Sequence, residues 1–333
     1  MGKLKDLVGL GSPIVDLSSY GTDEFLREYG LVKGSMTLVD LDTITRLQEA
    51  VNISLETSGG SAANTIVGFS LLGGSSSYIG KINNDRMGHI FRSDLESSYV
   101  ALHNGRYTQD SSTSRCLVII TPEGERTMAT YLGASIELHE TDIVPEVISD
   151  HSVIYIEGYL FDVPDSIRAV VKACDIAKSN GRSIALSLSD SYCVDRNRNS
   201  FKDFIDSYVD ILFSNEAEII SLHNAQDVNT AIRQSTGICK TVVTTLGQQG
   251  SLISGPGNAY VIDPVIVDEV VDTNGAGDLY ASGFLYGLTH GYDLGLCGRL
   301  GSMSASQIIS HMGARPTIGF RERVHNILGG NKV

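Results

Sequence analysis

From about residue 60 onward, short runs rich in β-branched residues alternate with longer segments of helical periodicity. This rhythm predicts an α/β fold in which a doubly wound, mostly parallel sheet is flanked by helices on both faces. In such sheets, binding sites lie beyond the carboxyl ends of the strands. The predicted strands are 77–80, 153–157, 184–187, 209–214 and 241–246, and the predicted helices are 62–72, 86–98, 164–179, 215–223 and 227–235.

Two stretches interrupt the alternation. Residues 13–41 contain short apolar runs such as Ser35 to Val39, and residues 106–132 have the pattern of a hairpin with a turn at 122–125. We expect these stretches to form a small β-sheet lid that excludes water from the site, although they could instead extend the edge of the main sheet. The predicted domains are an α/β domain of residues 1–12, 42–105 and 133–333, and a β lid of residues 13–41 and 106–132.

Composition excludes several classes of function. The chain of 333 residues carries a net charge of −14 without a basic stripe, which argues against nucleic acid or an anionic membrane as a partner. No apolar run is long enough to span a bilayer, and the N-terminus does not resemble a signal peptide, so a cytoplasmic location is predicted. The five cysteines show no CxxC pairing, which predicts free, buried thiols rather than disulfides or zinc ligands.

The segment from Asp272 to Asp278 carries the most specific chemistry. It is expected to lie between a strand-like run, Tyr260 to Val271, and an amphipathic helix, Leu279 to His290. Small residues at the start of a helix expose backbone N–H groups that bind anions, phosphates above all; the residues in this position are Gly275, Ala276 and Gly277.

The acid that ends this segment, Asp278, would repel an anionic ligand unless it takes part in the chemistry. The expected role is to accept the proton of a hydroxyl group that attacks a phosphoryl group held by the N–H groups. The alternative is an ordinary helix N-cap after a tight turn.

The string Asp272-Thr273-x-Gly275-Ala276-Gly277-Asp278 resembles the C-terminal signature of the PfkB (ribokinase-like) carbohydrate kinases, which phosphorylate sugars and nucleosides with ATP. The stretch from Gly80 to Gly88 resembles the N-terminal signature of that family, with Asn83 where a second glycine is common. The resemblance covers essentially the whole chain. It implies a ribokinase-like fold with a β-sheet lid built from the two interrupting stretches.

The resemblance also implies substrate-binding residues. In ribokinase-like enzymes an aspartate and a Gly-Gly/Asn group hold the sugar hydroxyls, and the matching residues here are Asp16, Gly59, Gly60 and Asn64. From the residues alone, Asp16 could equally be a turn or cap residue, whereas the Asn64 amide can both donate and accept, as a vicinal diol requires. Arg126 matches an arginine that reaches the transferring phosphate in nucleoside-type members, although a hairpin arginine is normally just solvated.

For the nucleotide and the metal, the resemblance implies ATP and Mg²⁺, and a potassium requirement is left open. Asn215 and Glu218 match an Asn-x-x-Glu element that organises magnesium and phosphate through water, and the same pair fits a capping box. The residues expected to border ATP are Thr245, Gly247 and Gly250, whose turn could also be a plain hairpin, and, over the adenine, His311 and Gly313.

The substrate class follows from a likeness to the adenosine-kinase branch of the family. Tyr159 and Phe161 follow a predicted strand and could form an apolar slot for a purine, or could belong to the core. The predicted activity is ATP-dependent phosphorylation of a primary hydroxyl of a nucleoside, the adenosine 5′-OH first, by a monomer or homodimer. The alternatives are a kinase for ribose, fructose or a ketodeoxy sugar, and a non-catalytic ligand-binding homologue.

Overall fold

A computed structural model describes residues 4–107, 111–317 and 319–330. Within these ranges the chain forms two β-sheets, a large one covered by helices on both faces and a smaller one beside it. The strands, in chain order, are β1 (Lys5–Leu10), β2 (Ile14–Tyr20), β3 (Met36–Leu38), β4 (Leu55–Gly59), β5 (Ser76–Ile79), β6 (Ala101–His103), β7 (Arg115–Ile120), β8 (Arg126–Tyr131), β9 (His151–Glu157), β10 (Ser183–Ser187), β11 (Ile211–Asn215), β12 (Thr241–Thr245), β13 (Ser251–Gly255) and β14 (Asn258–Ile262).

The large sheet has the strand order β14-β13-β12-β11-β10-β9-β1-β5-β6. The strands from β12 to β6 are parallel to their neighbours, and β13 and β14 add an antiparallel edge. Along β1, Leu7 packs into the core on one face, and Val8 and Leu10 pack into the core on the other. A strand buried on both faces needs apolar side chains at every position, which explains the uninterrupted apolar runs in the sequence. The predicted α/β class is confirmed.

The helices lie on both faces of the large sheet and beside the smaller one. They are α1 (Asp23–Glu28), α2 (Leu41–Glu49), α3 (Ser61–Leu71), α4 (Arg86–Ser97), α5 (Pro145–Ser149), α6 (Pro164–Ser179), α7 (Ser191–Tyr208), α8 (Glu216–His223), α9 (Val228–Thr236), α10 (Ala276–Thr289), α11 (Leu294–Ile309) and α12 (Phe320–Gly330). Helices α3, α10 and α11 bury their apolar residues in the core on one face, and α6 to α9 bury theirs on the other. Within the described ranges, none of the helices has both the length and the apolar character that crossing a bilayer requires.

The smaller sheet has the strand order β3-β8-β7-β2-β4. The predicted hairpin is confirmed, because β7 and β8 pair antiparallel with Ile120 opposite Arg126. This sheet also takes in β4, which lies outside the two stretches expected to form the lid. The predicted domain ranges include residues 1–3, 108–110, 318 and 331–333, which lie outside the described residues, and the division itself stays a prediction.

One predicted element is wrong. The run from Tyr260 to Val271 was expected to be a strand that leads into the helix, but β14 ends at Ile262 and residues 263–275 have no regular structure. Pro264 has no N–H to continue the ladder, and the side chains of Ile266 and Val270 are exposed to solvent. This loop separates the end of β14 from the start of α10, where Asp278 faces α3.

The predicted cysteine chemistry is confirmed. All five thiols are buried and unpaired: Cys116, Cys174, Cys193, Cys239 and Cys297. Burial raises the pKa of these thiols, that of Cys116 to about 12, so they remain protonated and unreactive at neutral pH.

Candidate active site

Asp278 lies in the first turn of α10, and its carboxylate is held by the first turn of α3. Ser61 Oγ donates to Asp278 Oδ1 over 2.6 Å, and Asn64 Nδ2 donates to Oδ2 over 2.8 Å. The N-cap of α10 is Gly275, so Asp278 does not cap its own helix. The helix-cap alternative is therefore absent from the structure. The carboxylate is instead fixed by two neutral donors from another helix.

The two helices approach closely because the residues between them are small. A Cβ atom placed on Gly68 of α3 would lie 2.5 Å from Leu279 Cδ1 and 2.7 Å from Ser282 Oγ on α10. Thr65 Oγ1 also donates to the backbone oxygen of Asp278 over 3.1 Å. The start of α10 is thus fixed against α3 through both the backbone and the side chain of residue 278.

Burial raises the pKa of Asp278 above its usual range. The hydrogen bonds from Ser61 and Asn64 and the positive charge of Arg315 oppose this effect, because each favours the ionised form. A raised pKa makes the ionised carboxylate a stronger proton acceptor than an exposed aspartate. The environment therefore suits a general base.

Helix α10 begins without a side-chain cap, and there is free space beside Gly277 in its first turn. Gly275 has a φ of +79°, and no side chain caps the helix. A Cβ atom on Gly275 would lie 2.7 Å from Ala314 Cβ, whereas one on Gly277 would meet no atom within 4 Å. The Ala276 N–H already donates to the Thr273 carbonyl over 3.2 Å, so the three predicted N–H groups are not equivalent. An uncapped helix start with free space beside its first turn fits an anionic ligand.

The predicted hydroxyl-binding residues meet where β2 pairs with β4. A Cβ atom placed on Gly59 would lie 2.8 Å from Asp16 Oδ2, and one on Gly60, which has a φ of +97°, would lie 2.5 Å from the Ser12 carbonyl oxygen. Burial raises the pKa of Asp16 to about 6, against the opposing charges of Arg126 and Arg315.

Asn64, four residues after Gly60, contacts the predicted base directly. Its Oδ1 is buried and has no hydrogen-bond partner within the described ranges. Its Nδ2 is the atom that donates to Asp278. An unused acceptor beside the base is available to a substrate hydroxyl.

Arg126 contacts the loop before α10. Its Nη1 lies 2.6 Å from Asp272 Oδ2, and the same oxygen accepts from the Gly313 N–H over 2.9 Å. Asp272 thereby ties strand β8 of the small sheet to the segment predicted to close over adenine. In that segment, Nδ1 of His311 forms a hydrogen bond with the carbonyl oxygen of the next residue, Met312. The predicted contact of Arg126 with a transferring phosphate would require this ion pair to open or shift.

Asn215 and Glu218 form a capping box at the start of α8. Asn215 Oδ1 accepts from the Glu218 N–H over 2.8 Å, and the Glu218 carboxylate accepts from the Asn215 N–H over 2.9 Å and from Nδ2 over 2.7 Å. Burial, together with the negative charges of Asp190 and Asp278, raises the pKa of Glu218 to about 7. The electrostatic influence of Asp278 thus reaches Glu218.

The turn expected to border ATP lies at the adjacent strand end. Thr245 at the end of β12 pairs in register with Asn215 at the end of β11. Gly247 is exposed and a Cβ atom there would meet nothing within 4 Å, whereas one on Gly250 would lie 2.0 Å from the Ile262 carbonyl oxygen. Gly247 can therefore face a ligand, and Gly250 is required by the packing of the turn.

Of the two aromatic residues predicted for a purine slot, only Tyr159 faces solvent. Its side chain is 42% exposed, whereas Phe161 is 2% exposed and stacks on Phe201 with ring centroids 4.3 Å apart. Phe161 belongs to the core behind the site. Tyr159 is the aromatic side chain that a ligand can reach at this strand end.

Sequence reasoning missed three residues. Ser61 holds the predicted base, although it lies inside the Gly-Gly/Asn stretch that the sequence singled out. Glu157, at the end of β9, accepts hydrogen bonds from the backbone N–H groups of Ser12 and Ala62. Arg315 donates from Nε to the Ser58 carbonyl oxygen over 2.9 Å, and Ser58 directly precedes Gly59. An acid at the end of a parallel strand was a readable signal for Glu157, whereas nothing in the sequence linked Arg315 to Ser58.

The side chains of the site are better suited to a nucleotide than to a metal ion held by protein ligands alone. The residues described contain no group of three His, Cys, Asp or Glu side chains able to hold a metal ion. Both oxygens of Glu218 accept hydrogen bonds from Asn215, which suits at most a contact through water. Magnesium keeps much of its hydration shell and needs few carboxylates, so these residues fit a magnesium ion that arrives with phosphates.

Comparison with known proteins adds independent information. The model of the pfkB family carbohydrate kinases matches residues 34–319. The adenosine kinase of Saccharomyces cerevisiae is 28% identical over 342 residues, with coverage of 92% of this chain and 95% of that protein.

Two solved structures resemble the chain over nearly its whole length. A probable sugar kinase from Rhizobium etli CFN 42 is 38% identical, with a TM-score of 0.89 and coverage of 98% of this chain and 99% of that one. The adenosine kinase from Sinorhizobium meliloti is 36% identical, with a TM-score of 0.89 and coverage of 98% and 100%.

Proposed function

The chain belongs to the pfkB family of carbohydrate kinases, and from this premise we propose that it transfers the γ-phosphate of ATP to a primary hydroxyl of a nucleoside, adenosine first, with Asp278 as general base. Members of the family are phosphotransferases with an alcohol acceptor, and ATP with Mg²⁺ follows from the family. The observation that carries the proposal is the Asp278 carboxylate, with its raised pKa, at an uncapped helix start.

In the proposed reaction, the acceptor hydroxyl lies between Asp278 and the γ-phosphate. Asp278 accepts the hydroxyl proton as the oxygen attacks phosphorus, and the N–H groups at the start of α10 stabilise the charge on the phosphoryl oxygens. Asp16 and the free Oδ1 of Asn64 accept hydrogen bonds from the other hydroxyls of the substrate. Magnesium bound with ATP would neutralise phosphate charge, and Asn215 and Glu218 are the residues that would contact its water shell.

Nucleotide contacts are proposed for Thr245, Gly247 and Gly250 on one side and for His311 and Gly313 on the other. Closure of the small sheet over the site would exclude water, with the lid and domain ranges as predicted. Arg126 reaches the transferring phosphate only if its ion pair with Asp272 opens during closure. The cytoplasmic location, the monomer or homodimer and any potassium requirement stay predictions.

Adenosine is favoured because the S. cerevisiae and S. meliloti proteins similar to this chain are named adenosine kinases. The exposed ring of Tyr159 also offers an aromatic surface on which a purine can stack. A sugar acceptor is the second candidate, because the R. etli protein at 38% identity is named a probable sugar kinase. Release of ADP across a panel of nucleosides and sugars distinguishes the two. No turnover with any acceptor would favour a ligand-binding homologue.

The base assignment is tested by Asp278→Asn. We expect kcat to fall about 10²- to 10⁴-fold, because the amide cannot accept the proton, while affinity for ATP and acceptor is retained. The matched control is Asp268→Asn, an exposed carboxylate on the loop that leads into the same segment, with activity unchanged. Unchanged kcat in Asp278→Asn would end the assignment.

A further inference from the structure

Glu157 is a buried carboxylate, and no basic side chain among the residues that the structure describes forms an ion pair with it. It ends β9 in the centre of the large sheet and is 1% exposed. Its Oε1 accepts from the Ser12 N–H over 2.6 Å, and its Oε2 accepts from the Ala62 N–H over 2.8 Å. A Cβ atom on Gly11 would lie 2.4 Å from Oε2, so the backbone approaches the carboxylate as closely as glycine permits.

The electrostatic setting of Glu157 is unfavourable for a residue with a purely structural role. Burial, together with a smaller contribution from the negative charge of Asp278, raises its pKa to about 7. The compensation comes from the two backbone donors together with the Ser12 side chain. A neutral side chain could fill the same space without the desolvation cost of a carboxylate.

The two segments that Glu157 joins are the ones that carry the proposed site. Ser12 leads into β2 and to Asp16, and Ala62 lies on α3 between Ser61 and Asn64, the two residues that hold Asp278. The N-cap of α3 is Gly60, which has no side chain to cap the helix. The Glu157 carboxylate therefore satisfies an N–H in the first turn of α3 from outside the helix, and fixes that turn relative to the end of β1.

We propose that Glu157 is a positioning residue for phosphoryl transfer: it places the first turn of α3, and through Ser61 and Asn64 it sets the position of the Asp278 carboxylate. Glu157 does not touch substrate, since it is 1% exposed and both of its oxygens are occupied. The inference rests on the proposed function, because it assigns Glu157 a role only if Asp278 is the base.

The test is a double-mutant cycle between Glu157→Gln and Ser61→Ala, with kcat and the KM for ATP measured at saturating acceptor. The Gln amide can accept from only one of the two N–H groups, so the first turn of α3 loses one anchor. A displacement of a catalytic group by about 1 Å costs on the order of 10²-fold, so we expect Glu157→Gln to lower kcat about 10- to 100-fold, with KM for ATP unchanged.

In the Ser61→Ala background the same change is expected to have a smaller effect, because Glu157 acts through the contact that is already lost. Equal effects of Glu157→Gln in both backgrounds would overturn the proposal, as would an unchanged kcat in folded Glu157→Gln. Circular dichroism and thermal denaturation establish the folded fraction. If Glu157→Gln does not fold, Glu157→Asp, which is one methylene shorter, is measured in its place. Failure of both to fold assigns Glu157 to stability alone and also overturns the proposal.

The two proposals fail in different ways. The proposed function fails if none of the acceptors causes the unmodified protein to release ADP, or if Asp278→Asn keeps its kcat. If the protein is active and Asp278→Asn is not, but the cycle is additive, only the positioning role of Glu157 fails.

Discussion

Removing the Ser61 hydroxyl should move the acid limb of the pH profile, a change separate from the loss of maximum rate that follows when Asp278 loses one of its two donors. In the structure, Ser61 Oγ donates to Asp278 Oδ1 over 2.6 Å and thereby lowers the pKa of a carboxylate that burial raises. A hydrogen bond to a charged group contributes about 1.5–3 kcal/mol, and one pKa unit corresponds to about 1.4 kcal/mol, which gives a shift of about one to two units. Because both side chains are partly exposed, water can replace part of the bond. We therefore expect Ser61→Ala to raise the pKa by about one unit.

The base must be ionised, so activity is lost as the pH falls through the pKa of Asp278. The acid limb of kcat/KM for the acceptor reports this pKa in the free enzyme, and in Ser61→Ala it should lie about one unit higher. When each rate is taken relative to the protein's own plateau at high pH, the variant would be about tenfold slower at a pH below both limbs.

Thr65→Val is the matched control for this measurement. Thr65 lies one turn along the same helix and donates to the backbone oxygen of Asp278, not to its carboxylate. We expect its acid limb to coincide with that of the unmodified protein. Any ionisation of ATP affects all three proteins equally and cancels in the comparison. An unmoved limb in Ser61→Ala, or an equal shift in Thr65→Val, would refute the reasoning.

Two further predictions concern stability. Gly60→Ala forces a Cβ to within 2.5 Å of the Ser12 carbonyl oxygen at a φ of +97°, and should cost about 1–3 kcal/mol in urea denaturation. Gly181→Ala has a φ of +66° but meets no atom within 4 Å, and should cost less; equal losses would contradict the steric argument. Asp142→Asn leaves Lys81, 2.9 Å away, as an unpaired buried charge and should cost about 3–5 kcal/mol. Adding Lys81→Met should recover part of that loss in the same assay, and no recovery would count against a charge effect.

Much of the fold could be predicted because the hydrophobic periodicity of each helix and strand is visible within a short segment of sequence. The helix expected over 164–179 is found at Pro164–Ser179, and the hairpin of β7 and β8 turns where Pro122 and Gly124 predict it. The strand expected over Tyr260 to Val271 failed because apolar composition alone cannot distinguish an edge strand from an exposed loop. The strand ends because Pro264 lacks an N–H and because no neighbouring strand pairs with the residues after Ile262. Pro264 is visible in the sequence, whereas the pairing depends on the rest of the chain.

The site was predictable only in part. The motif around Asp278 predicted a helix start with an acid, and α10 begins there. Phe161 and Tyr159 carry the same local signal, yet one stacks on Phe201 in the core and the other is exposed. Which side of a strand end faces the ligand depends on the helices packed around it, and those lie far away in sequence.

The sequence by itself determined the alternation of strands and helices, the glycine-rich helix starts and the residue types available for phosphoryl transfer, because these depend on neighbours within a few positions. Tertiary structure alone decided that Ser61 and Asn64 hold Asp278, more than 200 residues later in the chain, that Arg126 pairs with Asp272, and that Glu157 bridges Ser12 and Ala62. Hydrogen bonds of about 3 Å depend on how whole helices pack against a sheet. That packing is a property of the assembled core and not of any local segment.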